Sequence, residues 1–476
     1  MSSVGGALCF ASARELAAAI RGREISAREV MAAHLARIEQ LNPQLNAIVA
    51  RLDDDACLRA ADDADAVVAR GDEVGPLHGL PTAFKDTEPA VGFPYTMGST
   101  IFRSFRPTED SVLVERLRRA GVIPIGKTNV PEFGMGSHTY NSVYGTTRNP
   151  YDLSMSAGGS SGGAAAALAS GLLPIADGSD YGGSLRNPAN FNNVVALRPT
   201  VGLVPGAPST LPFVGYVVKG MLARSVADVG LGLSAVVGID ARDPLSYPSD
   251  PASFAAPLDR DLAGLRVAWC PVPGGLPLDR RVKAVVDGCR ATFEDLGCVV
   301  EDVEPPLQGA EEAFLVVRSW STWYRLGPLL EEHRDEMKPE AVAQIESGAE
   351  LTGHQVAEAM RVHGELLERM RRFHERFDVI VGAVNQVPPF SADIAWPTEI
   401  EGVAMETYLD WMRSAWWYSA TFQPALSVPA GFTPEGLPVG IQIAGRRHDD
   451  LTVLQVGHAF EQATGVGQVR PPIALA

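Results

Sequence analysis

Two serines in glycine-rich turns and one lysine in an apolar run are the residues of this chain best suited to covalent chemistry. The serines lie 24 residues apart, in Gly158-Gly159-Ser160-Ser161-Gly162-Gly163 and in Asp180-Tyr181-Gly182-Gly183-Ser184-Leu185-Arg186. Lys85, in Gly79-Leu80-Pro81-Thr82-Ala83-Phe84-Lys85-Asp86, precedes Ser160 by 75 residues. A serine hydroxyl attacks poorly unless another group takes its proton. A lysine in apolar surroundings loses basicity by desolvation and can be neutral enough to be that group. Glycines ahead of a serine bring the backbone close to a substrate and aim N–H groups at a developing oxyanion. Each such donor is worth about 10²–10³ in rate. Together the three residues supply a nucleophile, a proton relay and a base.

Competing readings of these motifs are weaker. A Gly/Ser cluster alone is most often a flexible connection. Here the first cluster runs directly into a small-residue helix expected over residues 163–170, so its N–H groups sit at a helix start. The second cluster follows after one helix and one strand. Residues 121–128, Gly-Val-Ile-Pro-Ile-Gly-Lys-Thr, satisfy the phosphate-loop expression. However, 122–125 reads as a strand, Pro124 removes a needed N–H, and Asn129-Val130-Pro131 prevents a helix from starting at Lys127. Nucleotide binding is therefore not expected. Of the 9 histidines, His333, His354, His363 and His374 fall in a charged helical stretch too far apart to share a turn. His78 and His138 lie nearer the motifs but lack an identifiable carboxylate partner and read as structural. Cys9, Cys57, Cys270, Cys289 and Cys298 form no C-x-x-C pair and read as reduced, buried thiols. No metal and no cofactor are expected.

The pattern around these residues supplies a scaffold. The chain has 476 residues, 46% hydrophobic and 20% charged, as folded globular proteins do. A net charge of −17 disfavours a broad nucleic-acid surface. No apolar run reaches the roughly 18 residues of a membrane span, and the first ten residues lack a secretory pattern, so a cytoplasmic location is expected. Ser12-Ala-Arg-Glu15 and Ser26-Ala-Arg-Glu29 are capping-box signatures. The second should open a helix ended by Asn42-Pro43, with a third helix over 53–70. Beyond these, strands are expected at 81–84, 122–125, 172–176, 194–197, 265–270, 298–303, 378–384, 426–429 and 439–444. Helices are expected at 111–120, 163–170, 280–296, across most of 311–377, and at 407–421. This alternation implies an α/β fold: one large domain whose central, mostly parallel or mixed, twisted sheet is covered by helices on both faces. Within it, 1–72 are N-terminal helices, 77–204 the catalytic core, 205–420 a variable substrate-shaping region, and 421–476 strands and a helix returning to the core.

The motifs also resemble a known family. Residues 79–86, Gly126-Lys-Thr-Asn-Val-Pro-Glu-Phe133, Gly145-Thr-Thr-Arg-Asn-Pro-Tyr-Asp152, the two glycine nests and Leu197-Arg-Pro-Thr-Val-Gly202 are similar to the amidase signature family. The match resumes at Val428-Pro-Ala-Gly-Phe432 and over 436–445, and is loose over 205–420. Members hydrolyse amides through a Ser–cis-Ser–Lys triad. The resemblance implies that Ser184 is acylated, that Ser160 bridges and has a cis peptide bond to Gly159, and that Lys85 is the general base. It makes the N–H groups of Tyr181, Gly182, Gly183 and Ser184 the oxyanion hole, with Ser161, Asp180 and Arg186 holding the loops. Met135, Tyr140, Trp320, Trp323 and Trp416 are the expected pocket residues. The sequence departs from the family pattern at Tyr181, at Asn192-Asn193 and at Ser419-Ala420-Thr421-Phe422, where Asn-x-x-Gly is common. The implied activity is hydrolysis of a small-molecule linear amide, aryl or otherwise apolar, without nucleic-acid or membrane partners. Alternatives are the glutamine-hydrolysing subunit of a tRNA-dependent amidotransferase and a relative that cleaves carbamates or esters. A homodimer is compatible with the sequence.

Overall fold

The first helices begin where short polar side chains satisfy the free N–H groups of a helix start. In the computed structural model, which describes residues 3–475, Ser12 and Ser26 close capping boxes with Glu15 and Glu29 and open the helices Ala13–Arg21 and Ala27–Leu45. The second helix does not stop at Asn42-Pro43. It contains Pro43, which forgoes a single hydrogen bond in the last turn, and ends before Asn46, whose φ is 52°. Asp53 caps the helix Asp54–Arg70.

Eight strands form the central sheet. Their spatial order is Val299–Asp302, Arg266–Trp269, Val379–Ala383, Pro438–Gly445, Ala425–Phe432, Val195–Arg198, Val218–Ala223, Ile175–Asp180. The first three run parallel; every later pairing is antiparallel. The sheet is thus mixed, with its parallel part confined to one edge. Ala425–Phe432 and Pro438–Gly445 are joined by a short turn, which forces antiparallel pairing. Both faces are covered, and alternation along the strands shows it. Val379, Val381, Leu426 and Ile443 belong to one apolar core, while Ile380, Ala425 and Ala444 belong to a second core with Phe314, Trp411 and Trp416.

A smaller sheet carries the lysine. Pro81–Lys85 runs parallel to Ile123–Thr128, which pairs antiparallel with Ile48–Val49. Pro81–Lys85 lies along the edge strand Ile175–Asp180 through side-chain bonds: Thr82 Oγ1 donates to Ile175 O at 3.1 Å, and Lys85 N donates to Asp177 Oδ1 at 3.2 Å. That contact covers a sheet edge and brings the ends of both strands together. The strand Ile123–Thr128 contains the phosphate-loop look-alike. Its Lys127 is buried and donates to the Glu88 carbonyl.

Three expected elements differ in detail. The strand placed at 172–176 is Ile175–Asp180, because Leu172-Leu173-Pro174 still turns out of the preceding helix. The helix placed at 280–296 breaks at Cys289 into Arg280–Gly288 and Arg290–Asp295. The helix placed at 407–421 is the short turn Asp410–Met412 followed by Arg413–Ser419. The stretch 310–373 is built on the helices Ala310–His333, Pro339–Glu346 and Gly353–Phe373. All five cysteines are free and buried. Among the described residues no helix is long and apolar enough to cross a membrane.

Candidate active site

Lys85 ends the strand Pro81–Lys85 and is fully buried. Its Nζ lies 2.8 Å from Ser160 Oγ, 2.8 Å from Ser161 Oγ and 2.9 Å from Ser179 Oγ. An ammonium would donate to all three hydroxyls; a neutral amine accepts from one of them. Burial pulls the amine down from its ordinary value to about 7; Lys219 adds to the shift, and Glu88, Asp177 and Asp180 oppose it. Asp177, which no sequence motif marks, accepts from Lys85 N and is pushed up to about 7 by burial and by Glu88. Ser179 is likewise outside the motifs. It stands two residues after Asp177 on the strand Ile175–Asp180, so both side chains are on the face that meets Lys85, a placement visible only once the strand is known.

Ser160 and Ser184 occupy two turns that meet. The Gly159–Ser160 peptide is cis. Ser161 N donates to Ser184 O at 3.1 Å, which ties the nests together. The first nest is packed so tightly that a Cβ on Gly163 would fall on the backbone of Asn129 and Ala47. In the second, Gly183 has φ +107°, and an added Cβ would come within 2.6 Å of the Asn187 amide. Glycine is required at both positions. Ser160 is buried, whereas Ser184 is partly exposed and its hydroxyl makes no hydrogen bond among the described residues. The site therefore offers one hydroxyl held against the amine and one open to solvent.

Asp180 is the tie that holds the second nest. Its carboxylate accepts from Gly183 N at 2.8 Å, Leu185 N at 3.2 Å, Arg186 Nε at 3.1 Å and Arg198 Nη1 at 3.0 Å. Burial alone would raise its pKa, but the two guanidiniums and the backbone donors hold it well below the usual carboxylate range. Arg186 continues outward to Ala415 O at 2.8 Å, Gln442 Oε1 at 3.0 Å and Ser419 Oγ at 2.7 Å. Asp180 also removes one donor from the set of four that the sequence suggests. Gly183 N–H is committed to the carboxylate, which leaves the N–H groups of Tyr181, Gly182 and Ser184 without partners among the described residues.

The wall beside the nest is aromatic. Tyr181 stacks on Tyr216 at 5.5 Å and meets Phe314 edge-on at 5.4 Å. Phe314 stacks on Trp416 at 4.6 Å. Phe314, Arg318 and Ser321 recur at helical spacing on Ala310–His333. The Arg318 guanidinium lies 4.9 Å over the Tyr181 ring, and Ser321 Oγ is 3.5 Å from its hydroxyl. That periodicity adds Phe314, Arg318 and Ser321 to the residues around Tyr181. Trp323 is on the opposite side of this helix and packs with Met135, Leu326 and Met337, and Trp320 packs at the margin of the cluster that holds Phe314 and Trp416. Trp416 is fully buried behind Phe314, with its indole N–H on Leu409 O. Met135 is buried beside Gly134, at which a Cβ would lie 3.8 Å from Ser160 Oγ. Tyr140 is bound to Glu340 through its hydroxyl and lies under Lys338 Nζ. Phe422, where the family pattern has glycine, takes φ 57° and packs against Tyr216 at 5.1 Å and His363 at 4.5 Å. His138 is held between Ser156 Oγ and Ala392 O, and its ring makes no hydrogen bond to Ser160, Ser161 or Ser184 among the described residues.

The chain is similar to known proteins over nearly its whole length. A family model described as Amidase matches residues 29–454. An acylamidase of Rhodococcus erythropolis is 36% identical over 472 residues, covering 98% of each chain. A glutamyl-tRNA(Gln) amidotransferase subunit of Carboxydothermus hydrogenoformans is 33% identical over 503 residues, covering 98% of this chain and 100% of its own. The crystal structure of a bacterial aryl acylamidase of the amidase signature family superposes with a TM-score of 0.90 at 29% identity, covering 98% of each chain.

Proposed function

Because the chain belongs to the amidase signature family and is an amide-hydrolysing enzyme, we propose that it cleaves a linear, aryl or otherwise apolar carboxylic amide through an acyl-enzyme on Ser184. The observation that carries this reading is the buried Lys85 amine, lowered to about 7 and 2.8 Å from Ser160 Oγ. Neutral Lys85 takes the Ser160 proton while Ser160 takes that of Ser184, and Ser184 Oγ adds to the carbonyl carbon. Charge on the carbonyl oxygen is met by the N–H groups of Tyr181, Gly182 and Ser184. The relay then returns the proton to the leaving nitrogen as the C–N bond breaks. Water attacks the ester by the same route and restores Ser184. Asp180 and Arg186 keep the nest in shape and touch no reacting atom. Tyr181, partly exposed and backed by the buried rings of Tyr216 and Phe314, gives the site an apolar, aromatic side, which supports an aryl or apolar substrate.

A panel of anilides, alkyl amides, carbamates and glutamine, assayed with wild type and Ser184→Ala, tests the reading. Wild-type kcat/KM on the best amide should rise with pH through about 7 and level off above it, because the working form of Lys85 is unprotonated. Ser184→Ala should lower it by about 10⁴ or more. Retention of most activity in the variant, or an acid optimum in the wild type, contradicts the assignment. The second reading, a glutamine-hydrolysing component of an amidotransferase, draws on the similarity to the Carboxydothermus protein. Glutamine hydrolysis that needs partner proteins, with no turnover of anilides, would favour it.

A further inference from the structure

The strand next to Ser179 brings a second lysine to the face on which Lys85 rests. In the antiparallel pair of Ile175–Asp180 and Val218–Ala223, Lys219 is directly opposite Ser179. Residues opposed in this way carry their side chains on one face, with β-carbons about 5 Å apart. Ser179 Oγ is 2.9 Å from Lys85 Nζ, so Lys219 starts beside the base. Its far end is fixed there as well, because Lys219 Nζ is ion-paired with Glu88 Oε1. Glu88 closes the turn that leaves Lys85: its N–H donates to Lys85 O at 2.9 Å, and its Oε2 accepts from Ser111 Oγ at 3.0 Å. Glu88 is buried, and the Lys219 side chain is 14% exposed. Other charged groups around the base have different attachments. Asp180 is matched by Arg186 and Arg198, and Lys127 by Asp86 at 4.0 Å. Asp177 accepts from Lys85 N and has no ion pair among the described residues. Burial is the main cause that lowers Lys85; Lys219 adds to it, and Glu88, Asp177 and Asp180 oppose it.

Building on the amide-hydrolase reading, we propose that Lys219 is a positioning residue of the reaction: its ammonium, held by Glu88 beside the base, acts through Lys85 and leaves that amine free to take the Ser160 proton. Two like charges in one desolvated space repel, and the one with less stabilisation gives up its proton. Lys85 is the weaker site for a charge. It is fully buried, and its Nζ meets three hydroxyls and no carboxylate among the described residues. Lys219 has both a carboxylate and some solvent. Glu88 holds the ammonium in place, while its own negative charge favours a proton on Lys85. Removing one member of the pair or the other should therefore move Lys85 in opposite directions.

Two readouts on the same variants test this. The first is direct titration of Lys85 by NMR of protein carrying lysine labelled with 13C at Cε, the signal assigned by its loss in Lys85→Met. Lys219→Met should raise the Lys85 midpoint by about one pH unit, Glu88→Gln should lower it, and Lys219→Arg should restore it to within about 0.3 unit of wild type. Glu88→Gln retains an acceptor for Ser111 and supplies the test of opposite sign if Lys219→Met folds poorly. The second readout is the pH profile of kcat/KM on the best amide. Lys219→Met should lose about tenfold at about pH 6 but less than about threefold on the plateau above about pH 9, where Lys85 is neutral in both proteins. A role in packing alone would instead lower both alike. Equal losses at the two pH values, or a Lys85 midpoint that neither Lys219→Met nor Glu88→Gln moves, overturns the proposal and leaves the hydrolase reading intact. A midpoint that moves as expected under an unchanged rate profile supports the action of Lys219 on Lys85 and contradicts Lys85 as the base of the hydrolase reading.

Discussion

The floor of the site and its wall are built on opposite plans. On the floor, at the ends of the strands Pro81–Lys85 and Ile175–Asp180, polar groups are buried and tied together: Lys85 to three hydroxyls, and Asp180 to two arginines and two N–H groups. On the wall, aromatic rings pack against one another, and the buried Arg318 donates to the neutral Tyr408 hydroxyl and Gln344 Oε1 rather than to a carboxylate. A buried charge is stable only when it is satisfied. The floor therefore has a single geometry, suited to chemistry that needs fixed donors. The wall is held by the packing of its rings, in which shape rather than charge sets the fit.

Breaking the floor should cost most. Asp180→Asn removes the charge between two buried guanidiniums and should lower stability by about 3–5 kcal/mol, read as a shift in urea midpoint without a change in slope. A loss below about 1 kcal/mol would mean that the nest does not depend on this pair. The junction of floor and wall comes next. A Cβ at Gly182 would lie 2.9 Å from Phe314 Cζ and 3.1 Å from Trp416 Cβ, so Gly182→Ala must displace the nest or the rings. It should cost about 1–3 kcal/mol and reduce kcat/KM on every amide alike, since it disturbs an N–H donor rather than a substrate contact. A change in preference among amides, with the rate on the best one intact, would place Gly182 with the wall instead. The smallest effect is expected at Trp323, which faces away from Tyr181. Trp323→Leu should leave the preference for aryl over alkyl amides within about twofold. A tenfold change in that ratio would put Trp323 back in the pocket.

How far the sequence can be read follows the same division. Lys85, Ser160 and Ser184 are legible because their motifs are local: glycine spacing, a lysine in an apolar run, and a helix start. The capping boxes at Ser12 and Ser26 and the strand that absorbs the phosphate-loop pattern are legible for the same reason. The mixed sheet is legible as alternation, but its antiparallel share is not, since pairing across Val218–Ala223 and Ile175–Asp180 depends on a return of the chain that no local pattern encodes. The wall is less legible, because aromatic content does not give direction. Trp323 has the residue type of a pocket wall, whereas the face that meets Tyr181 is the one carrying Phe314, Arg318 and Ser321. That face is visible as a spacing of four and three, but only its contact with Tyr181 reveals that it matters. The commitment of Gly183 N–H to Asp180 cannot be read from sequence, because it requires knowing how the turn closes.

In the proposed mechanism the open serine attacks while the one held by lysine relays. Incubating the wild-type enzyme with an activated aryl ester at mildly alkaline pH, quenching in acid and mapping the acylated peptide by mass spectrometry tests it most directly. The acyl mass is expected on Ser184, absent in Ser184→Ala and formed much more slowly in Lys85→Met. Acylation of Ser160, or unchanged labelling of Ser184→Ala, would contradict it.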